Sequence, residues 1–541
     1  MTTAAGTWAP LRHPVFRAVW IAAFVANVGT WMQTVAGQWL LVEQHSSSLL
    51  ISLVQSASSV PVLLLVIPAG VVADFLDRRR LLLATQCVQA VIAGILALLT
   101  AAGRTTPEVL LLFTFLLGCG AAAQLPAYQA MVSDLLPRSE LGPGASLSSL
   151  GVNLARAVGP AVAGLLLAHL GVPWLFGLNG VSFLLFGAAL LLTPAGRPVN
   201  GSAVKVASLS SFEAGGRYVL HSPAVRRILL RLVLFALPAN VLWALLAPLA
   251  EGRLGLGAAG YGVLLGAAGA GAVAGAVLMP LVQNRLSASV KLTVAGVVYG
   301  AGLIGLALTR NAGVAVALLV PVGVGWIAVI AGLNAGVQAF LPDWVRARAL
   351  AVYQMVLFAT FAGSAALWGA VATWIGLGRT FAGAGILLVA TTVAGVWLPL
   401  RRTDVGDRTA VPPGVLPEAT FVGAVSPDDP VEVLVRYHVR PEQRDDFVRA
   451  IAELRTSRLR TGATEWVLLS DAVDADQLVE RYRVASWTEL LDQRSNRQTP
   501  FDEEVRRRVE ELADTVTQQH LLTVAVPHHV HDVVQHLGEP A

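Results

Sequence analysis

Long apolar blocks separated by short polar stretches fill roughly the first 400 positions of the chain. A helix needs about 20 mostly apolar residues to cross a bilayer. Twelve blocks meet that length, at about 16–41, 49–72, 80–102, 107–130, 143–169, 173–193, 226–250, 258–281, 290–309, 312–336, 349–376 and 380–400. Glycine is dense within them, as in Gly262–Gly275, and small residues let membrane helices pack closely. The longest internal interruption, 194–225, falls between the sixth and seventh blocks, and its Lys205–Leu220 portion reads as a short amphipathic helix at the membrane surface. The pattern predicts an all-α polytopic membrane protein with 12 transmembrane helices in two six-helix halves, residues 1–193 and 226–402, joined by the central loop 194–225.

After Arg402 the rhythm changes. Residues 403–428 are polar, with Pro412, Pro413, Pro417 and Pro427, and read as a linker. In 429–541 the pattern predicts strands at 431–439, 464–470, 477–485 and 520–526, and helices at 441–461, 487–497 and 501–519. That β-α-β-β-α-β order suggests a small α+β ferredoxin-like soluble domain, large enough for one modest core.

A faint internal repeat supports the six-plus-six division. Leu136-Pro137-Arg138 matches Leu341-Pro342-Asp343 at an offset of 205 residues, which also places Gly118 on Gly323 and Gly164 on Gly369. Secondary transporters are often built from duplicated halves with the site between them near the midplane.

Charge sets the orientation. Only 13% of residues are charged, against about 25% in soluble domains. The net charge of +4 conceals 23 Lys+Arg against 9 Asp+Glu up to residue 402, and 15 against 25 beyond it. The basic surplus therefore belongs to membrane loops and is no footprint of a nucleic-acid partner. With the N-terminus inside, 18 Lys/Arg fall on inner segments and four on outer loops, Arg104, Arg253, Arg310 and Arg379. By the positive-inside rule both termini are cytoplasmic and the chain is a multi-pass protein of the inner or plasma membrane. The N-terminal Arg12, His13 and Arg17 precede no cleavage site, so no signal peptide is expected. Cys87 and Cys119 lie in apolar blocks without metal spacing, and neither metal nor cofactor is expected.

The turn after the second block, Gly70-Val-Val-Ala-Asp74-Phe-Leu-Asp77-Arg78-Arg79-Arg80, concentrates charge between two spans. Gly70 is a place for close helix packing. Asp74 lies at the membrane boundary, where a charge is costly unless paired, and Arg78 and Arg79 are candidate partners. A pair formed in one conformation only would act as a gate by biasing the equilibrium between states. The alternative for the arginines is simple anchoring at the inner interface. The repeat places Gly275 opposite Gly70 but Met279 opposite Asp74, so the acid is one-sided.

Gly-x-x-x-Asp-x-x-x-Arg-Arg between spans two and three resembles the loop signature of the major facilitator superfamily, with Phe75 where that pattern has arginine and Asp77 where it has glycine. The wider chain looks like the branch containing enterobactin and macrolide exporters. The residues carrying this are Phe16-Arg17, Gly29-Thr30-Trp31-Met32-Gln33, Pro68-Ala69-Gly70, Asn153-Leu-Ala-Arg156-Ala-Val-Gly159-Pro160 and Trp344-Val-Arg346-Ala-Arg348-Ala. Gly159-Pro160 with Ala163-Gly164 resembles the antiporter signature of drug exporters, with Ala155 in place of its glycine. The C-terminal domain is similar to antibiotic-biosynthesis monooxygenases. The resemblance implies export of a small molecule by alternating access with proton antiport.

Proline at 160 removes a helical hydrogen bond and favours a kink in span five. Arg156 lies one turn before it, either facing the path to bind an anionic group or reaching the interface as an anchor. Asn27, Gln33, Gln38, Gln55, Gln124, Asn153, Asn179, Asn240, Asn334 and Gln354, with Trp31, Trp243, Tyr353 and Trp368, are candidates for a cavity suited to bulky, weakly charged substrates. There is no Gly-x-x-x-x-Gly-Lys-Ser/Thr, which argues against ATP drive within the chain. Glu43 and Asp134 lie only at span ends.

In the tail, Tyr437, His438, Trp466, Tyr482 and Trp487 suit a packing face or a dimer interface, and His520, His528, His529, His531 and His536 read as a solvated tail. The sequence thus predicts a secondary exporter of a small amphipathic molecule such as a drug, siderophore or secondary metabolite. Its partners are that molecule, the proton, the bilayer and a second copy through the C-terminal domain. The alternative is a membrane-tethered enzyme whose C-terminal domain modifies a metabolite.

Overall fold

The computed structural model describes residues 8–193, 216–283, 287–397, 429–495 and 497–522. It forms two compact units. One draws on Met1–Ser208, Arg227–Val337 and Ala351–Leu400, the other on Leu209–Arg226, Gln338–Leu350 and Arg401–Ala541.

Twelve helices among the described residues are long and apolar enough to cross a membrane. Spans 1 to 6 are Pro14–Glu43, Ser48–Phe75, Arg78–Ala101, Pro107–Leu135, Leu141–Leu170 and Val172–Leu191. Span 7 is two pieces, Pro223–Ala239 and Val241–Gly252. Spans 8 to 12 are Ala258–Gln283, Ala288–Leu308, Ala312–Phe340, Asp343–Ile375 and Leu377–Ala394. Short polar residues start several of them. Ser47, Asp77, Thr106 and Ser287 each accept a hydrogen bond from the backbone N–H three residues on, which satisfies one of the open donors at a helix N-terminus.

The break in span 7 comes two residues after Pro238. Pro238 has no N–H to give the carbonyl of Leu234, and that carbonyl accepts from the Thr391 hydroxyl at 2.9 Å. Around the break, the Leu237 carbonyl accepts from Trp368 Nε1 at 2.7 Å and the Ala239 carbonyl from the Tyr299 hydroxyl at 3.0 Å. Backbone polar groups at membrane depth need such protein partners because lipid supplies none. Asn240 itself is 1% exposed and donates to the Phe361 carbonyl and the Ser364 hydroxyl.

The repeat reappears as geometry. A Cβ on Gly118 of span 4 would lie 2.9 Å from the Ser58 carbonyl oxygen of span 2. Its twin Gly323 of span 10 bears on the Ala268 carbonyl of span 8 at 1.9 Å. Gly164 of span 5 meets Gly262 of span 8, and its twin Gly369 of span 11 meets Ser52 of span 2. The first pair of crossings lies within the halves and the second pair lies between them.

The C-terminal domain has a four-stranded antiparallel sheet in the order β2-β3-β1-β4, with β1 Val431–His438, β2 Trp466–Ser470, β3 Gln477–Val484 and β4 Thr515–Leu522. Helices Arg444–Thr461, Trp487–Ser495 and Pro500–Glu511 accompany it. Val431, Val433, Val435 and Tyr437 of β1 alternate inward and share a core with Phe447, Ile451 and Leu454. The last helix stops eight residues short of the expected 519, and β4 begins at Thr515 instead of 520. Arg440 holds Asp514 through two hydrogen bonds at 2.7 and 2.9 Å, and pairing with β1 starts one residue later, at His438 opposite Thr515. The linker 403–428, most of the central loop and the histidines from 528 onward lie outside the described residues.

In the second unit, Tyr218 is 5% exposed. Its ring lies 5.6 Å from the Arg460 guanidinium, and its hydroxyl donates to the Phe340 carbonyl. Beside it, Arg217 and Glu489 approach to 3.9 Å.

Candidate functional site

The halves of the membrane unit meet most tightly toward the end that carries the 44–47 turn. Span 1 is buried on every side from Met32 to Val42, whereas Ile21 and Val25 lower down are exposed. Gln38 Nε2 donates to the Trp243 carbonyl at 2.9 Å, and Tyr261 donates its hydroxyl to Gln38 Oε1 at 3.1 Å. Ser56 donates to the Ala362 carbonyl at 2.7 Å, and Trp39 stacks on Tyr261 at 5.4 Å. A Cβ on Gly164 would lie 2.0 Å from the Gly262 Cα, so only glycine permits this crossing.

Just beneath this closure a small void lies between the halves, lined by Trp31, Thr34, Gln55, Pro160 and Trp243 among others. The Trp31 and Trp243 rings meet beside it with centroids 6.1 Å apart, and Trp243 packs edge-on against Trp326 at 5.4 Å. Gly159 lets span 5 approach Trp31, whose Cβ would be 2.7 Å from a Cβ at that position. Trp31, Trp243, Gly159 and Pro160 therefore converge. Tyr261 and Thr34 were not expected at the cavity, since lone polar residues in apolar blocks leave no local signal.

Arg156 sits one turn from Pro160 on span 5. Its Nε is enclosed and has no hydrogen-bond partner among the described residues. The titratable group coupled to it is Tyr353 of span 11, 1% exposed, whose own hydroxyl also has no partner among the described residues. Through Tyr353 this cation is coupled to the other half of the bundle, and no carboxylate among the described residues pairs with it.

Other candidates stand elsewhere. Gln33 accepts from Asn179 at 3.3 Å and Gln124 accepts from Gln86 at 2.8 Å, both within the first half. Asn240 is committed to span 11, as described above. These three cross-link helices because a polar side chain in a helix bundle seeks a neighbouring helix. Asn27 donates to its own helix at the Ala23 carbonyl. Asn334 and Gln354 are half-buried on spans 10 and 11. The side chain of Asn153 lies outside the described residues.

The charged turn is arranged differently from its sequence spacing. Arg78 pairs with Asp134 of span 4 at 2.7 Å, and Arg79 donates to the Leu191 carbonyl of span 6 at 3.0 Å. Asp77 caps span 3 through the Arg80 N–H at 2.9 Å. Gly70 makes no close approach, since a Cβ there would meet only Pro126 at 4.0 Å, whereas its twin Gly275 is crowded by Ile327 at 2.7 Å. The side chain of Asp74 lies outside the described residues. Arg231, counted with the inner segments, lies about two turns inside span 7 and is 7% exposed.

In the C-terminal domain Glu480 is fully buried. It accepts from Tyr437 at 2.9 Å, from Trp466 Nε1 at 2.9 Å and from Arg458 Nε at 3.3 Å. Tyr437, Tyr482, Trp466 and Trp487 all pack with the core. His520 is not in a solvated tail. It lies in β4, edge-on to Trp487 at 5.8 Å and 2.9 Å from Arg494, and burial together with that cation pushes its imidazole down to about 4.

A protein family described as transmembrane secretion effector, of the major facilitator type, matches residues 5–529. The chain belongs to this family. The matched stretch of this transporter includes the C-terminal domain as well as the twelve spans. The multidrug efflux pump Tap of Mycobacterium tuberculosis strain ATCC 25618 / H37Rv is 27% identical over 434 residues, 74% of this chain and 97% of that protein. The enterobactin exporter EntS of Escherichia coli O6:K15:H31 is 27% identical over 404 residues, 72% of this chain and 93% of its own. A solved bacterial homologue of the lysosomal transporter Spinster, in an inward-facing, unoccupied conformation, superposes with a TM-score of 0.55 at 17% identity over 72% of this chain and 95% of that one. The fold is thus that of a major facilitator transporter.

Proposed function

We propose that this efflux transporter exports a small amphipathic molecule bearing an anionic group, of the drug, siderophore or secondary-metabolite class, by alternating access. The observation that carries the reading is Arg156. It is a cation one turn from the cavity residue Pro160, with Tyr353 near it and no carboxylate pairing with it among the described residues, under a ceiling sealed by Gln38, Tyr261 and the Gly164–Gly262 crossing. An intramembrane cation left unpaired is costly, and an anionic substrate would offset that cost. The relatives named for drug and siderophore export support the substrate class. With both termini cytoplasmic, as the arginine distribution argues, the sealed end is the outer one and this state is inward-facing.

Proton antiport is the coupling we infer, and Asp74 with Arg78 and Arg79 is the cytoplasmic gate. The strand order of the C-terminal domain supports a ferredoxin-like fold. Its buried acid Glu480, committed to three partners, supports a regulatory or dimerising role rather than a catalytic one.

The test is uptake into inverted vesicles of a drug and siderophore panel, with and without a pH gradient. Arg156→Gln is expected to reduce uptake of anionic substrates at least tenfold, with partial rescue by Arg156→Lys. Equal transport by Arg156→Gln would sink the assignment. Deletion of 403–541 is expected to leave transport in place, whereas a tethered enzyme would lose all activity.

A further inference from the structure

A second buried cation stands away from the path between the halves. Arg231 is 7% exposed, and its Nη2 donates to the carbonyl of Gly395, at the end of span 12. Among the described residues its enclosed Nε has no hydrogen-bond partner and no charged group offsets it. A guanidinium held this way retains donors for an anion that the described residues do not supply.

The guanidinium borders a narrow cleft between spans 7, 9, 10 and 12. The cleft also contains three threonines. Two are committed, Thr293 to the Ser289 carbonyl and Thr391 to the Leu234 carbonyl. The hydroxyl of Thr392 makes no hydrogen bond among the described residues and is available as a donor. The remaining wall is apolar, with Phe235, Leu292 and Leu333. Gly395 keeps the entrance open, since its Cβ position lies 3.8 Å from Arg231 Nε and a longer side chain there would grow into the cleft.

The depth and surroundings identify the anion. Trp397, two residues beyond Gly395, is 82% exposed, as expected of an aromatic residue at headgroup level. Val294, Val393 and Val396, next in sequence to the lining residues, are exposed apolar side chains facing outward. Arg227 lies one turn below Arg231 on the same helix face. Basic pockets between transmembrane helices near a membrane surface bind acidic lipid headgroups. We propose that this cleft binds the phosphate of an acidic phospholipid from the leaflet at the arginine-rich end, held by Arg231 and Thr392 with the lipid's apolar part against Leu292 and Leu333.

The experiment is native mass spectrometry of the full chain in a non-ionic detergent, titrated separately with phosphatidylglycerol, phosphatidylcholine and inorganic phosphate. The expected result is one phosphatidylglycerol retained at least tenfold more strongly than phosphatidylcholine. Arg231→Gln should lose that one lipid. Thr293→Leu, which keeps the cation but fills the cleft, should lose it as well and decides the matter if Arg231→Gln does not fold. Retention unchanged in Thr293→Leu, or equal retention of phosphatidylcholine, overturns the proposal. Inorganic phosphate bound as tightly as phosphatidylglycerol overturns the lipid as the source of the anion.

Discussion

Gln38 of span 1 donates to the backbone carbonyl of Trp243 in span 7 at 2.9 Å, and the two residues are 205 positions apart, the offset of the internal repeat. Each residue is therefore bonded to its own counterpart in the other half. The contact marks where the pseudo-twofold axis of the duplicated halves passes through the sealed end. A bond on the axis between halves is made when that end closes and lost when it opens, so it acts on the balance between states more than on folding.

Tyr261→Phe tests this contact. The substitution removes the hydroxyl that donates to Gln38 and keeps the ring stacked on Trp39. One such bond is worth about 1 kcal/mol net, which corresponds to about a fivefold change in a two-state ratio. The expected outcome is a shift toward opening of the 44–47 end at nearly unchanged melting temperature. Reaction of a single cysteine placed near Thr34 with a membrane-impermeant reagent should rise about fivefold, and an unchanged rate would count against the axis contact as a latch.

Glycines predict opposite outcomes at two positions. Gly164→Ala puts a methyl 2.0 Å from the Gly262 Cα, backbone against backbone, where nothing can yield without separating spans 5 and 8. It is expected to abolish efflux and to open the sealed end. Gly70→Ala meets only Pro126 at 4.0 Å and is expected to keep near-normal efflux. Efflux and thermal stability of both variants, measured side by side, check the contrast, and equal losses would refute it.

The twelve spans were legible because membrane helices are set by length and apolarity. The break at Asn240 was not legible, since a proline in an apolar block indicates either a kink or a stop, and the deciding bonds from Thr391, Trp368 and Tyr299 come from other spans. Asp134 as a partner of Arg78 was not legible for the same reason. Spacing offered Asp74, four residues away, while the fold brought Asp134 from 56 residues away. Gln33, Gln124 and Asn240 could not be told from cavity residues by type, because a glutamine that binds a ligand and one that joins two helices look alike in sequence. In the tail, the charged run before Thr515 continued the helical pattern, and only pairing with β1 ended it.

Removing the Arg78–Asp134 pair should matter little. The side chains are 29% and 57% exposed, and pairs of that kind contribute about 0–1 kcal/mol. Asp134→Asn is expected to leave the melting temperature within a few degrees and efflux near normal. Asp77→Ala removes the cap of span 3 and is expected to cost about 1 kcal/mol. Asp74→Asn is expected to lower efflux strongly without a matching loss of stability. Thermal melts paired with efflux assays separate the three, and loss of efflux in Asp134→Asn equal to that in Asp74→Asn would reassign the gate to the observed pair.

The C-terminal sheet should weaken in acid through His520. Its folded value of about 4 lies below the ordinary value of 6.5, because burial and then the charge of Arg494 disfavour the imidazolium. Between those values the unfolded chain binds the proton and the folded chain does not. Stability therefore falls as pH drops from about 6.5 toward 4 and levels off below it. The ring is half-buried, so solvent screening reduces the effect to on the order of 1–2 kcal/mol. Hydrogen exchange of the β1 amides in the full chain reads the change directly, since β4 protects one edge of β1. His520→Gln, which cannot titrate, is expected to flatten the dependence across this window. Asp514, held low by Arg440, lies just before β4 at the end of the same pair of strands, and its own loss on protonation should persist in that variant at the acid end. An unaltered profile in His520→Gln would transfer the whole acid response to the Arg440–Asp514 pair.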